Sequence, residues 1–173
     1  TLSDAHTLAE LVAINNALTG TLTLNDVTVA LTGSAADIKA ALAGTFAVGY
    51  SGNVTITDAN GTGIAATDIT TIAGDTSGTV TVSNNINLQG TAAEVAAAVA
   101  DVDTFSGTPT ATLGDAHTLA ELKAINNAVS GQLTLTDYNV VLAGTASDVA
   151  AALAGSFADT YTGNVTLLAD PIT

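Results

Sequence analysis

The sequence predicts an α/β solenoid of alternating short and long β-α units, with one parallel sheet and helices packed along one face of it. Three observations carry this reading. A short phrase, apolar–Thr–apolar with an Asp or Asn close behind, recurs as Leu22-Thr23-Leu24-Asn25-Asp26, Val54-Thr55-Ile56-Thr57-Asp58, Val80-Thr81-Val82-Ser83-Asn84, Ala111-Thr112-Leu113-Gly114-Asp115 and Leu133-Thr134-Leu135-Thr136-Asp137. The chain also repeats itself: residues 2–57 match residues 113–168 without a gap at an offset of 111, and a divergent copy lies between. Finally, the central Thr residues stand at 1, 23, 55, 81, 112, 134 and 166, so the spacings run 22, 32, 26, 31, 22 and 32. Strands separated by crossovers of this length pair in parallel, with right-handed connections.

The short unit (1–20, 53–78, 110–131) reads as strand, Asp, helix, then Ser/Thr-Gly. Its helix sets Leu8, Leu11 and Ile14 on one side at three-residue steps. The long unit (21–52, 79–109, 132–163) has a strand, a second extended piece, a helix and a Phe/Tyr-Gly tail. The second piece is clearest at Val27–Leu31 and Tyr138–Leu142, where apolar and polar residues alternate. Ile38 with Leu42, Val95 with Val99, and Val149 with Leu153 give the helix an i, i+4 face. The single array therefore divides into a repeat pair at 1–52, a divergent pair at 53–109, a third at 110–163 and the start of another at 164–173.

Helix starts are marked by Thr7, Ser34, Thr91, Thr118 and Thr145, each with an acid three residues on, as in a capping box. Gly20, Gly44, Gly131 and Gly155 read as helix stops. In each strand the residues flanking the central Thr should face the helices, and the Thr the other way. Phe46, Tyr50, Phe105, Phe157 and Tyr161 should plug the core where the long unit turns back.

Composition narrows the function. Sixteen acids face Lys39, Lys123 and no Arg, for a formal net charge of −14. Nucleic acid and anionic membrane surfaces, both of which need Lys and Arg, are poor partners for such a chain. No apolar run approaches the roughly 18 residues of a membrane span, so no membrane insertion is expected. The chain has no Cys and hence no disulfide or thiolate site.

Two columns are the candidate sites. Asp4, Asp26, Asp58, Asn84, Asp115 and Asp137 follow the strands. Stacked at about 4.8 Å in a solenoid, they could ligate Ca²⁺, or each could bond local backbone where the strand turns out. No cofactor beyond that calcium is suggested. Thr23, Thr55, Thr81, Thr112, Thr134 and Thr166, with Thr1, would form a polar ladder fit to order water, as in ice-binding solenoids, or simply an exposed β-branched strand face. His6 and His117 occupy equivalent places before a helix cap, with the ring expected near Leu11 or Leu122. No catalytic residues emerge. There is no nucleophile elbow and no phosphate loop, and Asp101 with Asp103, the nearest thing to paired carboxylates, has no equivalent in the other repeats.

The stretch from Asp115 to Gly155, Asp-Ala-His-Thr-Leu-Ala-Glu-Leu-Lys-Ala-Ile-Asn-Asn-Ala onward, resembles repeats of very large secreted or cell-surface bacterial proteins, some of which also carry repeat-in-toxin calcium modules. The resemblance covers nearly the whole chain and is strongest for 2–57 and 113–168. It implies an extracellular, structural or adhesive role and brings no catalytic residues. The expected function is a non-enzymatic segment of a surface layer, stalk or filament. Its ends, at Leu2, Val165 and Leu167, would stack on copies of itself or on flanking repeats. The alternative is a calcium-stiffened adhesin or ice binder, with a surface glycan as a further partner.

Overall fold

The computed structural model describes residues 1–169; the last four residues of the repeat expected to start at 164–173 lie outside them. The chain is mixed α/β, with parallel sheets, a row of helices and no closed barrel. In chain order the elements are α1 (Leu8–Ala17), β1 (Leu31–Gly33), α2 (Ala35–Leu42), β2 (Val54–Ile56), β3 (Gly63–Ala65), α3 (Ala66–Asp75), β4 (Val80–Val82), β5 (Asn87–Gly90), α4 (Ala92–Asp101), β6 (Thr104–Phe105), β7 (Thr110–Leu113), α5 (Leu119–Ala128), β8 (Gln132–Leu135), β9 (Leu142–Gly144), α6 (Ala146–Leu153), β10 (Ser156–Phe157) and β11 (Val165–Leu167). Each helix packs on the next, α1 on α2 through α5 on α6.

The expected single sheet is three sheets, in the orders β1-β2-β4-β6, β10-β8-β7-β5-β3 and β11-β9, and every pairing is parallel. Paired residues lie 22 to 26 positions apart, from Ala111↔Leu133 to Val54↔Val80. The 31- and 32-residue steps are therefore too long to join neighbouring strands. The long unit holds an extra strand instead. Its second extended piece (β1, β5, β9) lies at the start of a sheet in β1 and β9 and next to the edge strand β3 in β5, and the following short-unit strand (β2, β7, β11) pairs with it. That piece pairs at Leu31–Gly33 and Leu142–Gly144, starting on the last residue of the alternating stretch that announced it.

The helices are capped as the sequence requires. Thr7, Ser34, Thr91, Thr118 and Thr145 each accept the N–H of the residue three positions on. Glu10, Glu94 and Glu121 return the bond to the cap's own N–H. The Asp side chain is one methylene shorter, so Asp37 and Asp148 accept from the cap hydroxyl instead. The glycine stops do not work as supposed: among the described residues only Gly61 has a positive φ. Gly44 and Gly155 are small for another reason. A Cβ there would meet Oδ1 of Asn15 at 2.1 Å and of Asn126 at 1.9 Å. These Asn side chains leave α1 and α5 and donate to the carbonyls of Ala41 and Ala152, in the last turns of α2 and α6. They satisfy C-terminal carbonyls that have no partner within their own helix.

The core runs between sheets and helices. Val54, Ile56, Val80, Val82, Leu113 and Leu133 are at most 2% exposed, and the Thr between each strand pair faces away from it. Lys39 on α2 bonds Asp68 on α3, and Lys123 on α5 bonds Asp148 on α6, each at 2.5 Å. Both cations thus stitch neighbouring helices. Among the described residues no helix is long and apolar enough to cross a membrane.

Candidate functional site

The seven-membered Thr column divides among the sheets. Thr55↔Thr81 and Thr112↔Thr134 are direct neighbours, but in different sheets, and Thr166 pairs with Ala143. Thr32↔Thr55 and Thr81↔Thr104 extend the first pair into a four-residue ladder, Thr32–Thr55–Thr81–Thr104. Thr32 and Thr104 escaped the sequence reading because they lie outside the strand phrase. Leu2 joins Thr23 through its backbone N–H.

The Asp/Asn residues do not converge either. Asp58 accepts the Ala35 N–H, and Asp115 the Ala92 N–H, each at 2.7 Å. Those amides open α2 and α4, so a carboxylate from one turn of the chain caps the helix of the turn before it. Asp26 accepts from Thr28 and Asp137 from Asn139, closing local Asx turns. Asn84 donates to the Thr57 and Asp58 carbonyls. Asp4 accepts from Ser3. Four of the five carboxylates of this column thus accept backbone N–H groups. Asp58→Ala should destabilise the fold by about 1 kcal/mol, the usual loss for a helix N-cap. A thermal melt checks this, and an unchanged midpoint would show that the cap adds nothing.

The most distinctive polar arrangement is a hydrogen-bond chain built twice. His6 Nε2 lies 3.0 Å from the Tyr50 hydroxyl, which donates to the Val29 carbonyl at 2.5 Å. His117 Nε2 lies 3.0 Å from the Tyr161 hydroxyl, which donates to the Val140 carbonyl at 2.8 Å. Because each hydroxyl gives its proton to a carbonyl, it accepts from Nε2–H, and this sets the imidazole tautomer. Nδ1 of both rings is then a bare lone pair, buried and without a partner among the described residues. The rings pack against tyrosine with interplanar angles of 60° and 59°, a partner the sequence reading did not give them. The chain ties three segments about 22 residues apart in sequence, at positions 6, 29 and 50.

Burial pushes both imidazoles below their ordinary value, against the pull of Asp26 and Glu10 on His6, and of Asp137, Glu121 and Asp115 on His117. Burial likewise raises the Tyr50 hydroxyl to about 12. A histidine depressed in the folded state takes up a proton on unfolding, so stability falls with pH below about 6.5, the unfolded value, until the folded value is passed. The melting temperature should drop across that acid window. His6→Gln combined with His117→Gln should flatten the dependence there; an undiminished slope would assign it to the carboxylates.

The arrangement offers little chemistry. Each Tyr hydroxyl is spent on a backbone carbonyl and each His Nε2 on that hydroxyl, and among the described residues no three His, Asp or Glu side chains gather as metal ligands do. A shallow cleft of about 190 Å³ beside His6 is lined by Leu2, Asp4, Glu10 and Ile14. Beside His117, β5 and α4 occupy the corresponding place. In comparisons with known proteins, no family model, curated protein or solved structure matches this chain.

Proposed function

We propose that the chain is a non-enzymatic structural repeat segment, a solenoid that extends by adding β-α pairs, serving an extracellular surface layer, stalk or filament. The observation that carries this reading is the use of its polar groups. Asp58, Asp115, Asn15, Asn126, His6, His117 and both lysines reach from one unit to a neighbouring one. Side chains that elsewhere serve chemistry here serve stacking. The extracellular setting rests on the resemblance to bacterial surface repeats.

Duplicating residues 110–163 in place tests the array. X-ray scattering should show the particle lengthening by roughly 10–20 Å, the combined spacing of two strands or two helices, at constant cross-section. Growth in all dimensions would overturn the reading. An ice-binding role has one observation in its favour, the in-register ladder Thr32–Thr55–Thr81–Thr104. Thermal hysteresis abolished by Thr81→Tyr would support it, and none in the parent protein would remove it.

A further inference from the structure

The middle repeat pair replaces the buried His–Tyr contact with an exposed turn. Asp4-Ala5-His6 and Asp115-Ala116-His117 return there as Asp58-Ala59-Asn60. Both histidines are buried and bonded to tyrosine, whereas Ala59, Asn60 and Gly61 are exposed between β2 and β3. The Thr62 N–H donates to the Ala59 carbonyl at 3.0 Å and closes a tight turn. Gly61, at φ +79°, takes the place in it that a type II turn reserves for glycine.

The Asn60 carboxamide is held by one end. Its Oδ1 accepts the Asn85 N–H at 2.9 Å, just before β5, which fixes which end is oxygen. The Gly61 N–H donates to the Asn85 carbonyl at 2.7 Å, so the turn is seated on its neighbour at two points. Among the described residues no hydrogen bond engages Nδ2 of Asn60.

An Asn with Ser or Thr two residues on, in a surface loop of an exported chain, is an acceptor for N-linked sugar. The sequence holds three, Asn53-Val-Thr55, Asn60-Gly-Thr62 and Asn164-Val-Thr166. The fold separates them. Asn53 runs straight into β2, whose two edges are taken by β1 and β4, and its Oδ1 accepts the Thr79 N–H. Asn164 runs into β11, which pairs with β9, and its carbonyl accepts the Leu142 N–H. A transferase must seat the backbone from Asn to Thr in its own site. A strand in a ladder withholds that backbone, and an exposed turn offers it. Asp58 also places a carboxylate two residues before Asn60, where the other two have Ser51 and Thr162.

We infer that Asn60 is an N-glycosylation site, a reading that rests on the extracellular array proposed above. The donor is an oligosaccharide linked to a polyprenyl pyrophosphate. C1 of its first sugar leaves the pyrophosphate oxygen for Asn60 Nδ2: one C–O bond breaks, one C–N bond forms, the amide proton goes to a base on the transferase, and polyprenyl pyrophosphate departs. Oδ1 keeps its bond to the Asn85 N–H throughout, so the array carries the sugar at an outer turn without parting from its neighbour.

The test is to add a purified oligosaccharyltransferase that reads Asn-x-Thr, with its polyprenyl-pyrophosphate oligosaccharide, to the folded chain and to measure intact mass. The parent, 16.9 kDa before reaction, should gain one glycan per chain. Asn60→Gln should gain none. Neither should Thr62→Ala, which keeps the Asn60 side chain and its bond to Asn85. Asn53→Gln combined with Asn164→Gln should gain one, as the parent does. A parent that gains no glycan, or an Asn60→Gln variant that still gains one, would overturn the inference. Either result leaves untouched the one-dimensional growth of the lengthened chain, and with it the array reading.

Discussion

Gly163→Ala is expected to destabilise the protein by about 3 kcal/mol or more, at the upper end of what overpacking costs. For a chain of this length that is roughly 6–12 °C in melting temperature. A Cβ on Gly163 would lie 1.9 Å from the Val140 carbonyl oxygen and 2.8 Å from the Tyr161 ring. Neither neighbour can withdraw, because the Tyr161 hydroxyl is bonded to that same carbonyl and receives His117 behind it. Making room would break both bonds and leave a buried imidazole N–H without an acceptor, a loss of about 1–3 kcal/mol for each stranded group. Gly52 stands in the same relation to Val29 and Tyr50, at 2.0 and 2.8 Å. Gly49→Ala is the control. Nothing lies within 4 Å of a Cβ there, and the melt should stay within about 0.5 kcal/mol of the parent. Similar melts for Gly163→Ala and Gly49→Ala would show that the backbone can yield beside Tyr161.

Truncation of one isoleucine in different copies of the short-unit helix should give unequal losses. Ile125→Ala and Ile72→Ala remove side chains that are 0% exposed, and each should cost about 3–4 kcal/mol, within the usual range for a buried Ile cut to Ala. Ile14→Ala makes the same change where the side chain is half-buried, and about half that loss is expected. Denaturant melts make the comparison. Equal losses at all three positions would mean that the α1 end is as well covered as the interior.

Much of the local structure was legible. All five side-chain caps fall where a hydroxyl residue precedes an acid by three positions. The strand faces follow from apolar residues on either side of Thr. Pairing was less legible, because a recurring phrase locates strands without saying which are neighbours. One clue lay in the numbers: a 32-residue step cannot belong to the same turn as a 22-residue one unless it holds another strand. The His–Tyr chain also left a trace. His6, Tyr50 and Gly52 return together as His117, Tyr161 and Gly163, and the middle copy has neither His nor Tyr. Residues kept or lost together are candidates for one contact, however far apart they lie in the sequence. The Asp column was read two ways; Asp26 and Asp137 follow the local-turn reading, while Asp58 and Asp115 accept an N–H from the helix start of the turn before. A short carboxylate beside a turn can be satisfied by a neighbouring backbone N–H, and that geometry is invisible to spacing.

The sheets begin and end out of step with the repeats. β1 belongs to the first pair, but its sheet continues through β2, β4 and β6 of the second; β5 of the second pair leads into β7, β8 and β10 of the third. This is the bond of a brick wall, in which every vertical joint is covered by the course beside it. No cut between repeats would pass through loops alone, since each boundary is crossed by a strand ladder, a helix contact and an apolar core. A pull along such a wall finds no weak course to part first. The repeats should therefore give way together and not one by one, and tension on one repeat should be shared with its neighbours.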